Sequence, residues 1–150
     1  MQQELLDEIR DVSNEMARRL HFKLETTTEP SDEGVCLVLS GEDEDLLLHK
    51  NAAVLFAFDY ILNRMFNSRL IQGKKITTDS RNFRSIREEE LRLMAVKASE
   101  KALTYGQPID LQPMPPHERR IIHLALRDLP KVRTISEGMG DGRRIVIVPD

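Results

Sequence analysis

The spacing of apolar residues changes period twice within the first 40 positions, and that confines the chain to small mixed units of helix and strand. Leu5, Leu6, Ile9, Val12, Met16 and Leu20 recur every three to four residues, with acids early and Arg18 and Arg19 late. This is the pattern of an amphipathic helix over residues 4–20 whose charges complement its dipole. From His21 to Thr28 the apolar residues alternate. Pro30, Ser31, Asp32 and Gly34 then supply turn chemistry before the apolar run Val35–Leu39, so a strand hairpin follows the helix. Leu46–Leu48, a polar break at His49-Lys50-Asn51 and a periodic run from Ala52 to Phe66, striped by Phe58, Leu62, Met65 and Phe66, predict a short helix, a tight connection and a longer helix. Lys74–Thr78 reads as a strand.

Beyond Asp79 the composition becomes charge-rich, with Leu91, Met94, Ala98, Ala102 and Tyr105 on one helical face up to Gly106 and Pro108. Ile109–Gln112 is a short strand. Pro115-Pro116 opens a helix expected to reach Leu129. Val132–Ser136 and Arg143–Val148 pair around the turn Gly138-Met139-Gly140-Asp141-Gly142. The fold class is therefore α+β in two parts. Residues 1–78 run helix-strand-strand-helix-helix-strand, and residues 79–150 set two helices against a three-stranded sheet.

Charge divides the same way. The whole chain carries a net charge of -3, but residues 1–50 hold 13 Asp/Glu against 5 Lys/Arg, whereas residues 51–150 hold 12 against 17. The two halves suit different partners, and the basic one suits phosphate. No run approaches the ~20 apolar residues of a membrane span. The acidic N-terminus lacks the basic head of a secretory signal, so the chain reads as mature and cytoplasmic. Cys36, the one cysteine, sits in an apolar run as a buried structural thiol. His21, His49 and His117 have no ligand spacing for a metal, and Glu88-Glu89-Glu90 point in different directions around their helix. No metal, cofactor or catalysis is expected.

On the wheel of the last helix, Ile122, Ala125, Leu126 and Leu129 share the core face. Arg119, His123, Arg127 and Arg120 occupy the adjoining arc, with Leu124 near the exposed side. Arg119 and His123 are one turn apart and therefore neighbours. A guanidinium grips two phosphate oxygens, and an imidazole donates to an oxyanion or stacks on an unpaired base. Thr134, Ser136, the turn's backbone amides, Arg143 and Arg144 complete an anion site if the hairpin packs beside this helix.

The run Glu118-Arg-Arg-Ile-Ile-His-Leu-Ala-Leu126 resembles the signature of the Arg-three-His domain. Asp79-Ser-Arg-Asn-Phe-Arg-Ser-Ile-Arg87, Gln112-Pro-Met114 and Thr134-Ile-Ser-Glu-Gly138 with Arg143-Arg144 resemble the rest of the C-terminal domain of bacterial Jag proteins, also called SpoIIIJ-associated or KhpB proteins. The resemblance implies a KH-like domain over 1–78 and an Arg-three-His domain over 79–150; the N-terminal Jag-N domain that Jag proteins often carry is not expected here, which is a departure from the family pattern. The resemblance also implies single-stranded RNA or DNA as partner, a separate small KH-domain protein as a further partner, and Arg119 and His123 as defining positions. The chain departs from the family at the Gly-x-x-Gly loop through which a KH domain holds the nucleic-acid backbone. Here it reads His49-Lys50-Asn51-Ala52, which leaves Lys50 as its one cation below the acidic run Glu42–Asp45. The first unit is thus expected to contribute little grip. A second reading makes the acidic half a recruiter of protein, with nucleic acid secondary.

Overall fold

The structure, a computed structural model, describes residues 3–150; Met1 and Gln2, where the expected first unit begins, lie outside the described residues. The fold is α+β and divides into two compact units, the first ending at Phe83 and the second covering Arg84–Asp150. The division falls five residues beyond position 78 for a physical reason. The third strand extends to Asp79, and the Phe83 side chain packs against the first core.

The first unit comprises α1 (Gln3–Arg19), β1 (Leu24–Ser31), β2 (Gly34–Gly41), α2 (Glu44–Phe66) and β3 (Lys75–Asp79). Its sheet has the order β1-β2-β3. β1 and β2 are antiparallel, with Thr27 opposite Val38, and β2 and β3 are parallel, with Val35 opposite Ile76. Strand alternation turns Val35, Leu37 and Leu39 inward from the central strand, where they meet Ile9 and Ala17 of α1, Leu55, Phe58, Leu62 and Phe66 of α2, and Ile76 of β3. Cys36 falls on the opposite side of β2 and is half-buried rather than buried. Pro30 is accommodated within β1 because that strand is an edge.

Polar contacts fix the helices to the sheet edges. Ser13 Oγ lies 2.9 Å from Thr26 Oγ1, and Asn14 Oδ1 accepts from Thr26 N at 2.8 Å. On the other edge Asn63 Oδ1 accepts from Ile76 N at 2.9 Å while its amide donates to Ile76 O at 2.6 Å. Leu20 and Met65, both expected on buried stripes, are exposed. Leu20 lies past the end of α1, and Met65 stands one residue off the Phe58-Leu62-Phe66 line.

α2 is broken where the polar residues His49-Lys50-Asn51 predict a connection, and the break takes in Ala52, expected to open the following helix. His49 is extended, and Lys50, Asn51 and Ala52 are left-handed, with φ of 51°, 56° and 60°. Each side chain in that region costs roughly 1–2 kcal/mol against glycine. Lys50 is exposed, so Lys50→Gly removes the penalty without removing a packing contact. Chemical denaturation is expected to show a gain of about 1 kcal/mol in the stability of the first unit.

The second unit comprises α3 (Phe83–Tyr105), whose first residue belongs to the first core, β4 (Ile109–Asp110), α4 (Pro116–Leu126), β5 (Val132–Glu137) and β6 (Arg144–Pro149). Its sheet is antiparallel in the order β4-β6-β5. Leu91, Ala95, Ala98 and Ala102 of α3, Ile122 and Leu126 of α4, and Val132, Ile145 and Ile147 of the sheet form its core. The buried stripe of α3 therefore runs through Ala95. Met94 and Tyr105, expected in that stripe, are exposed. α4 ends at Leu126, three residues before the expected Leu129, and Leu129 is exposed beyond it. Among the described residues no helix is long and apolar enough to cross a membrane.

Candidate nucleic-acid interface

Pro115 and Pro116 start α4 at a defined point, because a proline at the first helical position loses no hydrogen bond the helix needs. Ile122 and Leu126 anchor one face in the core. Glu118, one turn before Ile122, goes into the same side and is only 4% exposed. Arg87 of α3 meets it with two parallel contacts, Nε to Oε1 at 2.8 Å and Nη2 to Oε2 at 3.0 Å. Arg87 also reaches Glu90 at 3.3 Å. The bidentate pair holds the first turn of α4 on α3, and Arg119 is the next residue.

Cross-strand partners project to the same side of a sheet. Thr134 is opposite Ile147 and Ser136 opposite Ile145, so both hydroxyls share the face that carries the core and α4. A helical step of four residues advances about 6 Å, and two residues of strand advance about 6.8 Å. Two positions a turn apart on α4 therefore line up with two alternate positions on β5. His123 Nδ1 lies 2.6 Å from Thr134 Oγ1, and Arg119 Nη1 donates to Ser136 Oγ at 2.9 Å. Arg119 Nε donates to Met114 O at 3.2 Å, which ties the guanidinium to the segment before the helix. Arg143 arrives from the start of β6 and donates from Nε to the same Ser136 Oγ at 2.9 Å.

Two guanidinium groups thus converge on one neutral oxygen. Among the described residues neither Arg119 nor Arg143 is ion-paired with a carboxylate, and Arg119 Nη2 and both terminal nitrogens of Arg143 have no protein partner. Ser136 Oγ accepts twice, which leaves its own proton to donate. The His123 contact fixes the plane of an exposed ring and leaves Nε2 for another group.

Of the residues singled out from sequence, Arg119, His123, Thr134, Ser136 and Arg143 are brought together. Arg120 is exposed on α4, one residue round from Arg119. Arg127 caps α4 and is paired with Asp128 at 3.3 Å. Arg144 does not join the site. It is opposite Glu137 on the other face of the sheet, where it meets Asp110 at 3.0 Å and Glu137 at 3.7 Å. The amide of Gly142 donates to Met139 O at 3.2 Å inside a short 3-10 turn, so it is not offered to an anion. Lys50 lies in the first unit, exposed in the left-handed break.

The acidic run beside Lys50 is largely compensated. Glu42 pairs with Lys23 Nζ at 2.9 Å, Asp43 accepts from Lys23 N at 2.7 Å, and Glu44 and Asp45 both bind Arg81. The backbone N–H of Gly41, with Arg81 second, holds the Glu44 carboxyl below its ordinary value of 4.5. Among the described residues no cluster of His, Cys, Asp or Glu is arranged to hold a metal. The supporting pair of Arg87 and Glu118 was not singled out from sequence, although the wheel places Glu118 on the Ile122 face.

Residues 89–149 match the R-3-H domain family, the Arg-three-His domain in one-letter form. The chain is 32% identical over 134 residues to the RNA-binding protein KhpB of Bacillus subtilis, which covers 88% of the chain and 64% of that protein. It is 31% identical over 109 residues to KhpB of Clostridium symbiosum, covering 73% and 49%, and 26% identical over 104 residues to KhpB of Lactiplantibacillus plantarum, covering 69% and 32%. The chain thus spans less than two thirds of the length of these relatives. The helix with an arginine and a histidine one turn apart, and the small antiparallel sheet on which it is set, lie within the residues that match the Arg-three-His domain. Over most of its length the chain is similar to proteins of the KhpB (Jag) family.

The Arg87-Glu118 pair makes a direct demand on stability. Glu118→Ala removes the buried partner of Arg87, which is 26% exposed and keeps Glu90 at 3.3 Å, so the cost falls below that of a fully buried pair, at about 1–2 kcal/mol. Urea denaturation of the second unit is expected to show that loss.

Proposed function

We propose that this chain binds single-stranded nucleic acid, RNA in its native setting, through the face made by Arg119, His123, Thr134, Ser136 and Arg143, and that it does so without catalysis. The observation that carries the reading is the convergence of Arg119 and Arg143 on Ser136 Oγ, with no carboxylate paired to either among the described residues. A phosphate oxygen is a stronger acceptor than a hydroxyl because the bond is charge-assisted. A phosphate entering the fork takes up the free guanidinium nitrogens and accepts the Ser136 proton. His123, its ring held by Thr134, offers Nε2 and a ring face to the adjacent base. The RNA-binding names of the KhpB relatives point the same way.

The test is binding of a short labelled oligonucleotide. The double variant Arg119→Ala, His123→Ala is expected to lose at least tenfold in affinity, about 1.4 kcal/mol. If Arg119, Arg143 and Arg120 each take a phosphate, affinity falls with log salt at a slope of roughly -2 for a single strand, and Arg119→Ala alone reduces the slope by about 0.7. A flat salt response in the wild type would sink the reading.

We further propose that the first unit is KH-like and a minor contributor to binding. Its loop has no glycine through which phosphate could approach the main chain closely, and Lys50 is its only cation. Lys50→Glu is therefore expected to weaken oligonucleotide binding less than Arg119→Ala does. Equal losses in a titration would assign the loop a full share.

A further inference from the structure

The cluster on α4 and β5 is polar throughout, which is sufficient for phosphate but leaves the apolar face of an unpaired base with little besides the His123 ring to cover it. Three residues beyond Ser136 and four before Arg143 stands Met139, 90% exposed, at the tip of the β5-β6 hairpin. Three residues of chain place its Cα within about 11 Å of that of Ser136. The tip is held rather than loose. Gly138 has a φ of 92°, and a Cβ added there would stand 2.8 Å from Gly142 O, so only glycine fits. Gly142 N to Met139 O and Arg143 N to Gly140 O, both 3.2 Å, close the turn.

Single exposed apolar side chains are ordinary on protein surfaces. This one differs in being carried on a closed turn whose two ends deliver Ser136 and Arg143 to the uncompensated cationic site. A methionine is long, unbranched and polarisable, and its sulfur makes favourable contacts with aromatic rings. An inorganic anion gains nothing from such a group. A ligand with an unstacked base beside its phosphate gains a surface to cover.

We propose that Met139 is the base-contacting residue of this site, packing its thioether side chain on the base next to the phosphate held by Arg119 and Arg143. The inference rests on the reading of the site given under Proposed function. It also restricts the ligand: the site takes a strand whose bases are unpaired, not a duplex presenting only its backbone.

Fluorescence anisotropy with three probes tests it: a labelled single-stranded oligonucleotide, an abasic strand of the same length and charge, and the corresponding duplex. Met139→Gln keeps the length of the side chain and makes it polar. It is expected to weaken binding of the oligonucleotide about three- to tenfold, to leave the salt slope and the abasic affinity unchanged, and to unfold at the wild-type temperature. Met139→Leu is expected to retain most of the affinity, and Arg119→Ala to weaken oligonucleotide and abasic strand alike. Wild-type affinity of Met139→Gln for the oligonucleotide would overturn the inference and leave the proposed site intact, as would equal losses on the abasic and base-bearing strands. Failure of the wild type to bind any probe would remove the proposed function and this inference with it.

Discussion

The packing of α4 on β5 and β6 is the constraint on which the rest of the candidate site depends. Ile122 and Leu126 settle against the face that carries Ile145 and Ile147, and this seating fixes the rotation of the helix about its own axis. With the rotation fixed, Arg119 and His123 have one place to go, above Thr134 and Ser136. Helical and strand spacings are unrelated in general, but four residues of one and two of the other nearly agree in length. The polar ladder beside the apolar seam follows from that agreement. Arg87 and Glu118 then oppose sliding or rolling of the first turn, since either motion would break two parallel charge-assisted contacts at once.

Much of this is legible in the sequence because both periods are visible there. The aliphatic edge of residues 119–126 and its cationic neighbour are separable by angle alone. So is the alternation that places Thr134 and Ser136 on one side of a strand. The break in α2 is marked by three polar residues between apolar runs. The two strand pairs around their turns follow from apolar runs bounded by Gly, Pro and Asp.

What is not legible depends on register and on the end points of elements. Arg143 and Arg144 are equivalent as letters, yet one meets Ser136 and the other meets Glu137 across the sheet, because a single step along a strand reverses the side. Leu129 continues the helical period of α4 after the helix itself has ended. On α3, spacing alone favours the larger Met94, whereas the fold buries the row of alanines through Ala95. The acidic run at 42–45 looks repulsive in isolation, but Lys23 and Arg81 lie 19 and 36 residues or more away in sequence and only the tertiary fold brings them to it.

One consequence of the shared hydroxyl concerns the protein without its ligand. Ser136 separates two like charges with a neutral atom and supplies no countercharge, so this corner of the domain carries surplus positive potential when nothing is bound. Small anions that occupy the gap stabilise the folded chain through mass action. The choice of buffer is therefore not neutral for this domain: phosphate or sulfate would raise its apparent thermal stability while competing for the very groups that a longer polyanion would use.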